Sequence, residues 1–132
     1  MTRRILLATL LAAPLPALAQ GHETAGHTHG KGPNGGQISE IGNQHAELVA
    51  RDGELRLYLL DAQDRPTSTR GATGTAIVQT QGKQQTVRFE PGPDDAYLVA
   101  RGDFRAAHGM RVVANVALPG QASRQARFTP AD

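Results

Sequence analysis

"HAELVARDGELRLYLL", residues 45–60, is the stretch that decides the fold. Asp52-Gly53 is a favoured two-residue hairpin turn, and it sets a register that can be checked against the apolar pattern. With Arg51 opposite Glu54, Ala50 faces Leu55, Leu48 faces Leu57 and Ala46 faces Leu59, so one face is wholly apolar. The other face pairs Val49 with Arg56, Glu47 with Tyr58 and His45 with Leu60. A slip of one residue would mix the faces. Turn chemistry and alternation therefore agree on an antiparallel hairpin with one buried side.

Downstream the same pattern recurs. "TAIVQTQGKQQTVRFE" (75–90) turns at Gln81-Gly82 and places Ala76 opposite Val87, with Val78 and Phe89 on the same face. "MRVVANVALPGQASRQARFT" (110–129) pairs well only with a three-residue loop, 119–121. Leu118 then faces Ala122, Ala114 faces Ala126 and Val112 faces Phe128. Two further strands are expected, near Ile38 and over residues 97–100. "GDFRAAHGM" (102–110) has room for one short turn, and no stretch after residue 20 keeps a helical period. Short strands with turn signals at this spacing predict an all-β domain over residues 36–130. The expected form is an antiparallel two-sheet sandwich, immunoglobulin-like, with seven or eight short strands. Its expected core is Ile38, Ala46, Leu48, Leu55, Leu57, Leu59, Ala76, Val87, Phe89, Leu98, Val112, Ala114, Leu118 and Phe128, a small aliphatic set.

Residues 1–19, "MTRRILLATLLAAPLPALA", have the layout of a secretory signal peptide: Arg3 and Arg4, a short apolar run, then Ala17-Leu18-Ala19 as a cleavage signal. The run falls short of the roughly 20 residues that span a bilayer, so no membrane anchor is expected after cleavage. The short positive start and Leu-rich run favour the general secretory route over twin-arginine export. The expected location is the periplasm or the medium.

Two of the fourteen Lys and Arg residues leave with the leader, and the remainder then balances the twelve acids. The positives are interspersed with acids along the chain, so neither nucleic acid nor an anionic membrane is an expected partner. The sequence holds no cysteine. That excludes thiolate zinc sites, iron–sulfur clusters, cysteine nucleophiles, disulfides and a lipid anchor on cysteine. No nucleophile elbow, phosphate-binding loop or HExxH helix appears, so no enzyme is expected.

Between leader and sandwich, residues 20–35 form a His- and Gly-rich segment with nothing to bury, expected to be flexible. It carries His22, His27 and His29. Either it is an inert linker or it is a short metal-binding tract. Cleavage after Ala19 would leave Gln20-Gly21-His22 at the start. A free amine, two amide nitrogens and the imidazole can wrap one ion in a square plane, which suits Cu(II) or Ni(II), whereas Zn(II) prefers a tetrahedron. Cyclisation of Gln20 would remove that amine. His27 and His29 could take a second ion. His45 and Glu47, two apart on one strand face, supply an imidazole and a carboxylate, and the blander alternative for them is an ordinary solvated face. His108 and Met110 are read as a loop histidine and a core methionine, and "RGD" (101–103) as a turn.

One segment resembles a known family. "NGGQISEIGNQHAELVARDGELRLYLLDAQDRP" (34–66) resembles the amino-terminal β domain of periplasmic adaptor proteins of heavy-metal efflux systems. The matching positions are Gly35, Gly36, Glu47, Gly53, Tyr58, Asp61 and Pro66, over about a quarter of the chain. Asn34 stands where those adaptors often have His. The adaptors' helical hairpin, lipoyl-like domain and barrel have no counterpart in this sequence. The resemblance implies a small stand-alone exported bacterial protein in a metal-handling setting, with metal-efflux components as partners. Together with the histidines it predicts a non-catalytic protein that binds or buffers Cu(II), Ni(II) or Zn(II). The alternative is a structural or protein-interaction sandwich whose tail is an inert linker.

Overall fold

The computed structural model describes residues 29–132. The described residues are all-β, with eleven strands in two antiparallel sheets. In chain order these are β1 (His29–Lys31), β2 (Gln37–Ile41), β3 (Gln44–Arg51), β4 (Glu54–Leu60), β5 (Pro66–Thr67) and β6 (Thr73–Thr80). There follow β7 (Lys83–Arg88), β8 (Glu90–Pro91), β9 (Leu98–Arg101), β10 (Arg111–Ala117) and β11 (Arg124–Phe128). A single 3-10 turn, Pro93–Asp95, precedes β9. The larger sheet runs β1-β2-β3-β4-β9-β8, with β5 also on β4; the smaller runs β11-β10-β6-β7. We call them sheet A and sheet B.

The expected hairpins form in the expected registers. Residues 45–51 pair with 54–60 from Arg51↔Glu54 to His45↔Leu60. Ala76 faces Val87, and Val112 faces Phe128 with Ala114 facing Ala126. Eight strands have four or more residues, matching the number expected; β1, β5 and β8 are additional strands of two or three. Such short pairings leave no period to read. The third hairpin opens earlier than its predicted loop. Its ladder ends at Val116↔Arg124, and a turn closed by Gln121 N–H on the Leu118 carbonyl (3.0 Å) completes the connection.

Sheet A and sheet B form the expected two-sheet antiparallel sandwich; the immunoglobulin-like part of the expectation is not confirmed. The chain changes sheets between β7 and β8, where Phe89 N–H bonds to the Gly74 carbonyl at 3.0 Å.

All fourteen expected core residues are buried. Thirteen join one cluster between the sheets, with Ile41, Ala72, Val78, Ala100, Phe104, Met110, Val116 and Ala126. Ile38 is the exception. It is 3% exposed but, like Leu60 and Val99, stands outside that cluster. The register explains why: Ile38 lies opposite Glu47 and Leu60 opposite His45, on the outer face of sheet A. That face is therefore partly covered.

The charges are less mixed in space than along the chain. Arg56 and Arg101 meet Glu54 on sheet A, in keeping with the expectation. The four strands of sheet B, by contrast, contain Lys83, Arg88, Arg111, Arg124 and Arg127 and no acid. Along the chain they fall in two acid-free stretches, 66–89 and 104–131, separated by Glu90, Asp94, Asp95 and Asp103 of sheet A and the loops.

The Gln81-Gly82 turn puts both residues at positive φ, 49° and 73°. This is the backbone of a type I′ turn, which matches the right-handed strand twist. A side chain other than Gly or Asn there costs about 1 kcal/mol. Gln81 is exposed, so Gln81→Asn should raise stability by about 0.5 kcal/mol, or roughly 3 °C in Tm. Thermal unfolding measures this; a lower Tm would mean Gln81 makes a contact worth more than the turn strain.

Candidate functional site

The outer face of sheet A carries most of the candidate chemistry. Alternation along β3 sends Ala46 and Leu48 inward and His45 and Glu47 outward, as the hairpin register requires. Two rows cross the strands side by side. One is Ile38–Glu47–Tyr58 and the next is Glu40–His45–Leu60.

Glu47 is not on a solvated face. Its relative exposure is 0%. Residues 32–36 fold over it and donate to its carboxylate. Oε1 accepts the Asn34 backbone N–H at 2.8 Å and the Gly36 N–H at 2.8 Å; Oε2 accepts Asn34 Nδ2 at 2.9 Å. Gly32 N–H bonds to the Gly36 carbonyl at 2.8 Å and Gly35 N–H to the Gly32 carbonyl at 3.0 Å, tightening the loop. Both carboxylate oxygens thus serve the loop, and ligation of an ion by Glu47 would require the loop to lift. Hydrogen bonds to an ionised acceptor are about twice as strong as neutral ones, which suits a buried carboxylate with three donors.

This loop joins β2 to β1. His29 pairs with Ile38 and Lys31 with Gln37. Residues 29–31, at the end of the segment expected to be flexible, form strand β1 beside β2. Gln20, Gly21, His22 and His27 lie outside the described residues. For His29 the structure gives its backbone register alone.

His45 is better placed for ligation. Its side chain is 17% exposed, and Nδ1 lies 2.6 Å from Asp64 Oδ1. Residues 61–65 form a loop built to hold that carboxylate. Asp61 Oδ1 accepts the Gln63 and Arg65 backbone N–H groups, both at 2.9 Å, and Oδ2 accepts Arg65 Nε at 2.9 Å. The Arg65 backbone N–H, helped by the Gln63 N–H and the Arg65 guanidinium, outweighs desolvation and holds the Asp61 carboxyl below its usual range. Asp64 takes a φ of 60°, which carries its side chain to His45. Glu40 is the cross-strand neighbour of His45. No sequence signal points to Asp64, because its role depends on loop geometry nineteen residues away from His45.

Next to this lies an aromatic and charged group. Tyr58 and Tyr97 rings are 5.3 Å apart, and the Arg56 guanidinium sits 4.8 Å from the Tyr97 centroid. Arg56 Nε donates to Glu54 Oε1 at 2.6 Å. That bond first, then one to Tyr58, raises the Arg56 pKa further, so the guanidinium stays charged.

His108 and Met110 part as expected. Met110 is 0% exposed in the core, while the His108 side chain is 90% exposed, with Nδ1 at 3.1 Å from Asp132 Oδ1. Residues 101–103 leave β9 into a loop, as the turn reading of "RGD" requires. Among the described residues, no group of three or more His, Asp or Glu is arranged to hold a metal ion. No family model, no curated protein and no solved structure matches the chain.

Proposed function

We propose that the chain is an exported, non-catalytic protein that binds a divalent transition metal, Cu(II), Ni(II) or Zn(II), with histidines of residues 20–31 and His45 as donors. The observation that carries this reading is the Asp64–His45 contact at 2.6 Å on Nδ1. Ligating imidazoles commonly give their other ring nitrogen to a carboxylate, which fixes the tautomer and raises ligand basicity. Here Asp64 takes Nδ1 and so fixes the orientation of the ring. β1 supports the same reading. It brings the end of the His-rich segment onto sheet A beside β2, which carries Ile38 opposite Glu47 and Glu40 opposite His45. The resemblance to efflux adaptors supports a metal-handling role, with efflux components as partners. Glu47 drops out of the donor set, because its carboxylate holds the loop.

Calorimetric titration of the processed protein with Zn(II) and Cu(II) tests the proposal. Replacing His22, His27 and His29 together with Ala should abolish binding at micromolar metal. Asp64→Asn should weaken affinity by about tenfold or more without touching a ligand. Affinity should fall as pH drops, because bound imidazoles must be unprotonated. A four-nitrogen Cu(II) resonance at one equivalent, lost in His22→Ala, would place the first ion at Gln20-Gly21-His22. No binding at micromolar metal by the parent protein would leave the interaction-module alternative standing, and undiminished binding by the triple variant would overturn the assignment of the ion to the His-rich segment.

A further inference from the structure

Sheet B faces away from this site, and its charge is unlike that of the rest of the molecule. The Arg–carboxylate ion pairs among the described residues involve Arg56, Arg65, Arg70, Arg101 and Arg105, all on sheet A or its connecting loops. None of the five basic residues of sheet B has a carboxylate partner among the described residues, and all five are exposed. Alternation decides which of them share a face. Val87 and Phe89, Met110 and Val112, and Ala126 and Phe128 point into the core. The residues between them, Arg88, Arg111 and Arg127, therefore point outward on one face.

The register spreads these three across the sheet. Arg88 lies opposite Thr75 on the β7 edge. Arg127 lies opposite Val113 on the β11 edge, and Arg111 opposite Gln79 on β10. Three strand spacings separate the two edges, about 14 Å. A single small anion cannot bridge that span, whereas an extended anionic surface can. At the centre of the same face, Ile77 and Val113 are cross-strand neighbours and half-buried. A sheet face with guanidinium groups around an apolar pair matches a headgroup layer, which offers phosphates to the guanidinium groups and methylene to the centre. A soluble polyanion offers only the first.

We propose that the outer face of sheet B docks on an anionic lipid bilayer, with Arg88, Arg111 and Arg127 on the headgroup phosphates. The contact is peripheral and reversible. It revises the sequence expectation that no anionic membrane is a partner, and it leaves the His45 face of sheet A pointing away from the lipid. It stands independently of metal binding.

Co-sedimentation of the processed protein with vesicles tests it. Binding should be strong to phosphatidylglycerol–phosphatidylcholine vesicles at low salt, weak to pure phosphatidylcholine, and lost as salt screens the charges. Each basic residue at such a surface contributes a factor of about five, so Arg88→Gln/Arg111→Gln/Arg127→Gln should lose roughly 100-fold in partitioning. Arg51→Gln/Arg65→Gln, off this face, should change it less than about twofold on the same scale. The chain has no cysteine, so single labels report orientation even if the triple variant folds poorly. A fluorophore at Thr86→Cys should blue-shift with anionic vesicles and one at Asn43→Cys should not. Equal binding to both vesicle types, an unchanged triple variant, a shift at Asn43 alone, or binding to soluble polyglutamate without binding to vesicles would each overturn the proposal.

Discussion

Glu47→Ala should destabilise the domain by about 3 kcal/mol, a fall of roughly 15 °C in Tm for a domain of this size. The cost lies in what is left behind. Three donors lose their acceptor, and the Gly36 N–H is buried where water does not readily replace it. Unpaired buried donors cost about 1–3 kcal/mol each, more than the net value of the bond that was made. Glu47→Gln separates charge from shape. Its amide oxygen can still accept from the Asn34 and Gly36 backbones. Its NH2 would then face Asn34 Nδ2, but Asn34 is exposed and can turn its own oxygen inward. The Gln variant should therefore lose only about 1 kcal/mol, the charge-assisted part. Amide exchange supplies a local readout, with protection at Gly36 and β1 falling in Glu47→Ala before the rest of sheet A opens. If Glu47→Ala unfolds within 0.5 kcal/mol of the parent protein, on the order of a neutral surface change, the buried carboxylate does not hold the loop.

Glu47 also shows where the sequence is legible and where it is not. The hairpin 45–60 is readable pair by pair, because a two-residue turn and a strict alternation constrain the same register. That reading correctly puts Glu47 opposite Tyr58 and away from the core. It then assigns the polar face to solvent, since alternation distinguishes two faces but says nothing of what lies on the second. The cover comes from residues 32–36, which have no apolar side chain except Pro33 and act through backbone N–H groups. A lone acid between Ala46 and Leu48, downstream of an Asn-Gly-Gly run rich in donors, is the available signal. Ile38 is placed in the core for its type, yet it is buried on the other face, for the same reason. His45 stands out in the sequence and Asp64 does not. Strand spacing is visible in sequence, whereas a loop carboxylate reaches its partner through a positive φ that no pattern announces. The acid-free character of sheet B is split in sequence into two stretches, 66–89 and 104–131, which Glu90, Asp94, Asp95 and Asp103 separate and only the fold joins in one sheet.

Gly36→Ala should be among the costliest single-methyl changes in the protein, and Gly35→Ala a mild one, although the two glycines are adjacent. Gly35 has φ of 80°, and a Cβ added there would meet nothing within 4 Å, so Ala pays only for the left-handed backbone, about 1 kcal/mol. Gly36 has an ordinary φ, and its problem is space. A Cβ would lie 2.4 Å from the Leu48 carbonyl oxygen and 2.9 Å from Val49 Cγ2. Leu48 sits in the middle of β3, paired to Gln37 on one side and Leu57 on the other, so its carbonyl cannot retreat without disturbing two ladders. The loop must move instead, and with it the Gly36 N–H on Glu47 and the pairing of β1. Overpacking of this kind costs about 3 kcal/mol. Urea denaturation of both variants measures the difference, and equal losses would show that backbone conformation, not close approach, is what residue 36 requires. The double variant Glu47→Ala/Gly36→Ala makes the test sharper. Both changes release the same loop, so once one has done so the other has little left to remove. The combined loss should fall short of the sum by about 1–3 kcal/mol, the range seen for residues in direct contact. Additive losses would mean that the loop and the carboxylate stabilise the domain separately, and that the path from the histidine-rich segment to sheet A does not run through Glu47.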